Sequence, residues 1–201
     1  MSESDSRTTI LSQLRNNTVE SYEMPNLDLL NPIRYSDPIA QFKEQATGAA
    51  GAKVIELADG GSIDAAVHAI YPNAKIIASN LDGVTATLNP DMVASAQELA
   101  SADVGVVKGY IGVAENACIW IPQTMKERAI CFASEYLVII LKKSDIVNNM
   151  HEAYEKIEKS RKYFKEYKFG TFISGPSKTA DIESALVYGA QAARGVTIIL
   201  T

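Results

Sequence analysis

Apolar residues in this chain are concentrated in short runs that polar or glycine-containing segments separate. The clearest runs are residues 53–58, 75–79, 135–142, 169–174 and 196–201. Their length and their content of valine and isoleucine predict β-strands. All of them are far shorter than the ~20 apolar residues that a membrane-spanning helix needs, so we expect no membrane span.

Other segments carry apolar residues at the three- and four-residue spacing of amphipathic helices. Residues 63–70 lie between the first two predicted strands and complete a strand–helix–strand unit, the crossover that joins parallel strands. Ser144 and Asp145 are expected to cap a long helix with apolar residues as far as Phe164. This order of elements predicts an α/β fold with a mainly parallel sheet that helices cover on both faces.

The two remaining regions differ from this pattern. Residues 102–122 contain valine, isoleucine and glycine without helical periodicity, which predicts a small β-rich element beside the sheet. The N-terminal residues 1–35 are expected to form a helix followed by an extended, proline-containing arm. We therefore predict that the α/β domain comprises residues 36–201.

The composition limits the possible functions. The chain has 201 residues, 47% of them hydrophobic, which suits one large domain. Its net charge of -5 gives no attraction to nucleic acid. No apolar signal segment follows the polar N-terminal residues, so we expect a cytoplasmic location. Cys118 and Cys131 are too few for a cysteine-ligated cluster or zinc site, so we expect this chain to bind no cofactor itself.

The predicted strand at residues 169–174 leads into a turn rich in hydroxyl groups, and we predict that a helix follows. Ligands of parallel α/β sheets bind outside the carboxyl ends of strands, and a helix N-terminus attracts anions. The turn is therefore a candidate site for a small carboxylate or phosphate. Alternatively, its hydroxyl groups cap the helix and its acidic residues only favour the first helical turn. The candidate ligand-binding residues are Ser174, Gly175, Ser177, Lys178, Thr179, Asp181 and Glu183.

Two charged residues elsewhere in the chain are further candidates. Glu115 is an isolated carboxylate in an apolar, glycine-flanked stretch, and we predict that it is the catalytic residue. Arg194 lies between the predicted helix and the last strand, where it either binds the anion or neutralises the helix C-terminus. The turn at residues 59–62 is either a phosphate cradle or a tight turn in which Ser62 caps a helix.

Several of these segments resemble the sequence signature of the LUD-domain family. The resemblance rests on residues 173–183, 186–189 and 193–195, and more loosely on residues 102–120. It implies a NagB/RpiA/CoA-transferase-like fold with three α/β/α layers and a small β-rich element. It also implies a component of a system that oxidises L-lactate to pyruvate, in which partner subunits carry the iron–sulfur clusters.

The chain departs from the family pattern at three positions. Gln191 stands where the family usually has a histidine, and glutamine cannot titrate near neutral pH. Asn116 and Cys118 replace threonines of the usual glutamate-containing run. These replacements bear on whether the family's chemistry applies to this chain.

Three functional hypotheses therefore stay open. The first is a component of an iron–sulfur L-lactate oxidation system that carries no cluster itself. The second is a stand-alone enzyme, either a CoA or acyl transferase that uses Glu115 or a sugar-phosphate isomerase-like protein. The third is a non-catalytic module for ligand sensing or assembly. Whether the chain is an enzyme by itself does not follow from its sequence.

Overall fold

A computed structural model of the protein describes residues 3–18, 20, 22–161, 169–182 and 184–201. The chain divides into two units, residues 1–31 and residues 32–201. The described α-helices are α1 (Glu3–Asn17), α2 (Pro38–Thr47), α3 (Ile63–Ile70), α4 (Ile130–Ala133) and α5 (Met150–Arg161). The described β-strands are β1 (Lys53–Glu56), β2 (Ile77–Ala78), β3 (Val104–Lys108), β4 (Ile111–Val113), β5 (Ile119–Pro122), β6 (Tyr136–Leu141), β7 (Ile146–Val147), β8 (Gly170–Ile173), β9 (Lys178–Ile182), β10 (Ala185–Tyr188) and β11 (Gly195–Leu200).

The described residues of the first unit contain α1 and a short 3-10 helix, Leu27–Leu29. The second unit contains all of the described strands. No helix in the described part of the chain is long and apolar enough to span a bilayer.

The second unit is built on a parallel five-stranded sheet with the order β1-β11-β6-β3-β2. Side chains alternate between its faces. Along β6, Leu137, Ile139 and Leu141 belong to one buried cluster, while Val138 and Ile140 belong to another. α2 contributes to the first cluster and α3 to the second. The predicted α/β class, with a mostly parallel sheet and helices around it, is confirmed.

The predicted strand–helix–strand unit exists, but its two strands do not pair. β1 and β2 occupy opposite edges of the sheet, and β11, β6 and β3 lie between them. The three central strands are almost entirely buried, whereas the two ends of β1 are exposed. The most apolar strands thus take the positions that bury both faces.

A second sheet of four strands, in the order β7-β4-β5-β8, corresponds to the predicted β-rich element. β4 and β5 pair antiparallel, and so do β5 and β8. Trp120 on β5 lies opposite Phe172 on β8, with ring centroids 4.9 Å apart. β8 therefore belongs to this sheet, and the turn after it does not follow a strand of the parallel sheet.

The prediction of a helix after that turn is wrong, because β9 and β10 form an antiparallel hairpin there. A helix over residues 178–193 would be about 24 Å long, at 1.5 Å per residue. The backbone of Ser177 instead bonds to the far end of this segment. Its carbonyl accepts the amide of Gly189 and its amide donates to the carbonyl of Ala193, both at 2.9 Å, so the two ends of the segment lie too close together for such a helix. Local helix propensity is weak enough for such contacts to override it.

The predicted start of the long helix is also wrong. Residues Lys143–Asp145 form a 3-10 turn that β7 follows, and α5 begins only at Met150. The side chain of Asn149 accepts the amide of Glu152 at 3.0 Å and so caps α5. Phe164, expected on this helix, lies outside the described residues.

Candidate functional site

A cleft of about 470 Å³ lies at the carboxyl ends of the parallel strands. Parallel strands end at the same edge of a sheet, and this edge is where ligands of open α/β sheets bind. Lys108 ends β3, Lys142 follows β6, and Thr201 follows β11. We call this cavity the carboxyl-end cleft. Its lining residues are Ile63, Asn80, Leu81, Asp82, Lys108, Gly109, Tyr110, Thr124, Ile140, Lys142 and Thr201.

The strand register places two lysines on the same face of the sheet. Lys108 on β3 lies opposite Ile140 on β6, and Lys142 is two residues beyond Ile140. Residues two apart in an extended strand share a face, so both lysine side chains leave the sheet on the side of the cleft. Asp82 is the acidic residue of this lining, so two basic side chains face one acidic side chain. This balance favours an anionic ligand.

The ring of Tyr110 contacts Lys108. The ammonium group of Lys108 lies 5.0 Å from the centroid of the Tyr110 ring, within the range of a cation–π contact. Burial raises the pKa of the Tyr110 hydroxyl, so this group stays protonated near neutral pH. The contact limits the positions that the Lys108 side chain can take.

The side chain of Asn80 links segments of the chain that border the cleft. Nδ2 of Asn80 donates to Oδ2 of Asp91 at 3.1 Å and to the carbonyl of Thr124 at 3.2 Å. Both N–H groups of this amide are used, so a ligand hydroxyl could bind this side chain only by donating to its carbonyl oxygen. The hydroxyl groups of Thr124 and Thr201 add neutral hydrogen-bonding groups to the same lining.

The start of α3 also lies at the cleft, because its first residue, Ile63, is part of the lining. The Ser62 hydroxyl accepts the amide of Ala65 at 3.2 Å, so Ser62 is the helix cap. The turn at residues 59–62 is thus the tight turn with a serine cap, which was one of the two predicted alternatives. The positive end of the α3 dipole adds to the attraction for anions.

The predicted ligand-binding turn lies elsewhere, and its residues make structural contacts. Nζ of Lys178 donates to the carbonyl of Ala49 at 2.7 Å. The Thr179 hydroxyl donates to the Asp181 carboxylate at 3.3 Å. Glu183 lies outside the described residues. The absence of a helix removes the electrostatic reason for expecting an anion at this turn.

Part of the turn nevertheless lines a second cavity. Gly175 and Ser177 border a space of about 350 Å³ together with Gln191, the residue that replaces the family's histidine. The backbone amide of Gln191 donates to the Ser177 hydroxyl at 3.3 Å. Most of the remaining lining is apolar and includes Phe132 and Phe172.

Arg194 lies at the amino ends of the parallel strands, and the carboxyl-end cleft lies at their other ends. It directly precedes β11, and Glu135 directly precedes β6, so both are at the amino ends of strands. NH1 of Arg194 donates to Oε1 of Glu135 at 2.9 Å, and its guanidinium lies 5.7 Å from the centroid of the Tyr136 ring. The predicted helix whose end Arg194 was expected to neutralise does not form.

Glu115, the predicted catalytic residue, is attached to a helix start. Oε1 of Glu115 accepts the amide of Met150, the first residue of α5, at 2.8 Å. The structure brings one predicted ligand residue close to it, because the Ser174 hydroxyl donates to the carbonyl of Asn116 at 2.8 Å. Glu115 and Ser174 thus lie near each other, whereas Lys178 and Arg194 make separate contacts. Their predicted functional roles stay predictions.

The sequence predictions missed the polar residues of the carboxyl-end cleft, although the chain carries a signal for two of them. Lys142 ends the predicted strand at residues 135–142, and Thr201 ends the predicted strand at residues 196–201. Because ligands bind outside the carboxyl ends of strands, both residues could have been identified as candidates for the site. Lys108 lies in the region predicted to be a separate β-rich element, so only the pairing of β3 with β6 brings it to the cleft.

Neither cysteine has the properties of a reactive thiolate. Burial raises the pKa of Cys131 to about 12 and also raises the pKa of Cys118. Within the described ranges, no group of three or more His, Cys, Asp or Glu side chains is arranged to hold a metal ion.

Comparison with known proteins gives consistent results. Residues 39–201 match the family model of the LUD domain. Lactate utilization protein C of Shouchella clausii (strain KSM-K16) is 32% identical over 102 residues, which cover 50% of this chain and 44% of that protein. The matched region thus spans less than half of this curated relative. The crystal structure of a DUF162 family protein from Deinococcus radiodurans covers 84% of this chain and 99% of its own, with a TM-score of 0.64 and 15% identity. That level of identity supports the fold alone.

Proposed function

Because this chain belongs to the LUD-domain family, we propose that it is a component of lactate utilization and binds a small carboxylate in the carboxyl-end cleft. The domain match covers residues 39–201, and the curated relative is a lactate utilization protein. L-Lactate and pyruvate are the ligands that this proposal implies. The chain would act in the cytoplasm as part of a system that oxidises lactate.

The single observation that carries the proposal is the pair of lysines at the ends of neighbouring strands. Lys108 and Lys142 leave the same face of the sheet into one cleft. A carboxylate held by ammonium groups gains charge-assisted hydrogen bonds, which are about twice as strong as neutral ones. The amide oxygen of Asn80 would accept the hydroxyl of lactate, a contact that pyruvate lacks. The cleft therefore offers separate partners for the two functional groups of lactate.

Oxidation of lactate requires an electron acceptor, and we propose that a partner subunit supplies it through iron–sulfur clusters. The sequence contains two cysteines, whereas such clusters are commonly held by four. This chain would bind and orient the substrate, and the partner would remove the electrons. Substrate binding and electron transfer would thus belong to different proteins.

The test is calorimetric titration of the purified protein with L-lactate and with pyruvate. We expect Lys108→Gln and Lys142→Gln each to weaken binding by about tenfold or more, because each removes a charge-assisted contact. Lys156→Gln, which removes an equal charge from the exposed face of α5, is the matched control. Unchanged affinity in both cleft variants would contradict the assignment of the cleft.

The cavity beside residues 174–177 is a second candidate for the ligand, because it gathers Gly175, Ser177 and Gln191. Titration of Ser177→Ala under the same conditions separates the two sites. A loss of lactate binding in this variant, with normal binding in the lysine variants, would move the site to the second cavity.

A further inference from the structure

The β9–β10 hairpin forms a sheet of its own. Within the described residues, its two strands pair only with each other and with neither larger sheet. An isolated two-stranded hairpin is marginally stable in water unless a further strand or packed face completes it. This hairpin is therefore expected to have a partner for at least one of its surfaces.

The hydrogen bonds that the described residues of the hairpin make to the rest of the domain lie at its base. Lys178 donates to the carbonyl of Ala49, and Ser177 forms backbone bonds to Gly189 and Ala193. Farther along β10, the side chain of Leu186 is 58% exposed. The apolar side chains that need cover therefore lie on β10.

The two outer edges of the hairpin differ in their protection. β9 carries Lys178 and Asp181, and the amide of Asp181 donates to the Thr179 hydroxyl at 3.3 Å. Charged side chains on an edge strand prevent other strands from pairing with it. β10 consists of alanine, leucine, valine and tyrosine, without a charge or a proline. The pairing register shifts between Ala185 and Val187, where two steps along β10 face three along β9, so the extra residue lies in β9. The outer edge of β10, residues Ala185–Tyr188, is thus the less protected one, and we call it the free edge.

The hydrogen-bond pattern shows which backbone groups point to this edge. Gly189 and Ser177 share one bond of a hydrogen-bonded pair, from the amide of Gly189 to the carbonyl of Ser177. Hydrogen-bonded and non-bonded pairs alternate along an antiparallel ladder. The next pair, Lys178 and Tyr188, is therefore non-bonded. The amide and the carbonyl of Tyr188 consequently point away from β9 towards the free edge.

We propose that the free edge pairs with the free edge of a second copy of this chain, antiparallel and across a twofold axis. Antiparallel pairing is the arrangement by which a strand meets its own copy in a symmetric dimer. Each chain carries a net charge of -5, which opposes contact through acidic surfaces, but β10 places no charge against its copy. The contact makes a four-stranded sheet and gives Leu186 and Tyr188, 58% and 47% exposed, apolar neighbours.

The test is sedimentation velocity of the full chain over concentrations from about 1 to about 200 μM. We expect the measured mass to rise from 21.8 kDa towards twice that value. Leu186→Lys brings a positive charge from each copy close to the pairing edge and should weaken the dimer at least about tenfold. Met92→Lys is the matched control, because it replaces a more exposed apolar residue, 81% exposed, that belongs to neither strand of the hairpin.

A second pair of variants tests the edge itself. Tyr188→Pro removes the outward amide as well as the ring, whereas Tyr188→Ala removes only the ring. We expect the proline variant to dimerise less than the alanine variant, because proline cannot donate a hydrogen bond. A protein that stays monomeric throughout, a dimer that survives Leu186→Lys, or a dimer that Met92→Lys weakens equally would each overturn the proposal. Equal dimerisation of the two Tyr188 variants would overturn the pairing through β10.

Discussion

Glu56, the last residue of β1, is held between two lysines. Its Oε1 lies 2.6 Å from Nζ of Lys43, and its Oε2 lies 2.8 Å from Nζ of Lys143. Hydrogen bonds from Lys143 and then Lys43 lower the pKa of Glu56 from 4.5 to about 2. These contacts join α2 to the segment that follows β6.

The lowered pKa of Glu56 gives a pH prediction. Because the carboxylate is favoured in the folded state, its stabilising effect is present above the unfolded pKa of 4.5 and is lost as pH falls towards about 2. Glu56→Gln should therefore be less stable than the wild type above pH 4.5, and the two proteins should converge in acid. Urea unfolding at several pH values measures this difference. A gap that persists near pH 2 would contradict the ion-pair explanation.

The position of Glu115 gives a second residue-scale prediction, which separates a structural role from a catalytic one. Glu115→Ala removes the acceptor for the Met150 amide and should destabilise the protein by about 1 kcal/mol, as the loss of a helix cap does. Glu115→Gln keeps an oxygen that can accept this bond and should be close to wild-type stability. Thermal unfolding of both variants provides the measurement.

The same pair of variants tests the predicted catalytic role. Glutamine cannot act as a base or as a carboxylate nucleophile, so a catalytic glutamate would make Glu115→Gln inactive but stable. Full activity of Glu115→Gln, together with lower stability of Glu115→Ala, would assign Glu115 to the support of α5.

At the scale of elements, the turn after β8 depends on close backbone contact. Gly175 has a φ of +69°, and a Cβ atom there would collide with the carbonyl of Ala50. Glycine thus allows this turn to approach the segment between α2 and β1. The contact fixes the point at which the β9–β10 hairpin begins.

A pair of glycine substitutions measures the importance of this contact. Gly60→Ala places a methyl group in open space at a φ of +74°. It should lower the free energy of unfolding only by the cost of a left-handed conformation for alanine, about 1–2 kcal/mol. Gly175→Ala adds a steric collision and should cost at least about 1 kcal/mol more. Equal losses in chemical unfolding would show that the approach of Gly175 to Ala50 contributes little.

At the scale of the whole molecule, burial is distributed unevenly across the parallel sheet. β6 lies between β11 and β3, and five of its six residues are buried, whereas β1 is an edge strand with exposed ends. Amides that open only by global unfolding are found in such central strands. Sheet position therefore predicts the order of amide protection.

Hydrogen exchange followed by NMR or mass spectrometry measures this order. We expect the amides of β6 to exchange at least about tenfold more slowly than those of β1, because edge strands open locally. Equal exchange rates in the two strands would contradict a single cooperative core centred on β6.

The sequence predicted those parts of the protein that depend on local pattern. The predicted apolar runs correspond to β1, β2, β6, β8 and β11, and helical spacing correctly placed α3. The predicted parallel sheet and β-rich element also form. The helix expected after Ser177 does not form, because Ser177 bonds to Gly189 and Ala193 and brings the ends of that segment together. No local pattern contains such a contact.

The sequence by itself determined the fold class, the family and the separation of apolar strands from polar strand ends. Only the tertiary structure decided which strand ends lie together, and so which polar residues share a cleft. Lys108 and Lys142 are 34 positions apart in the chain and become neighbours through the pairing of β3 with β6. Strand order is set by the burial of whole strands against each other, which is a property of the assembled sheet. For that physical reason the signature turn was recognisable from its residues, whereas the carboxyl-end cleft required the structure.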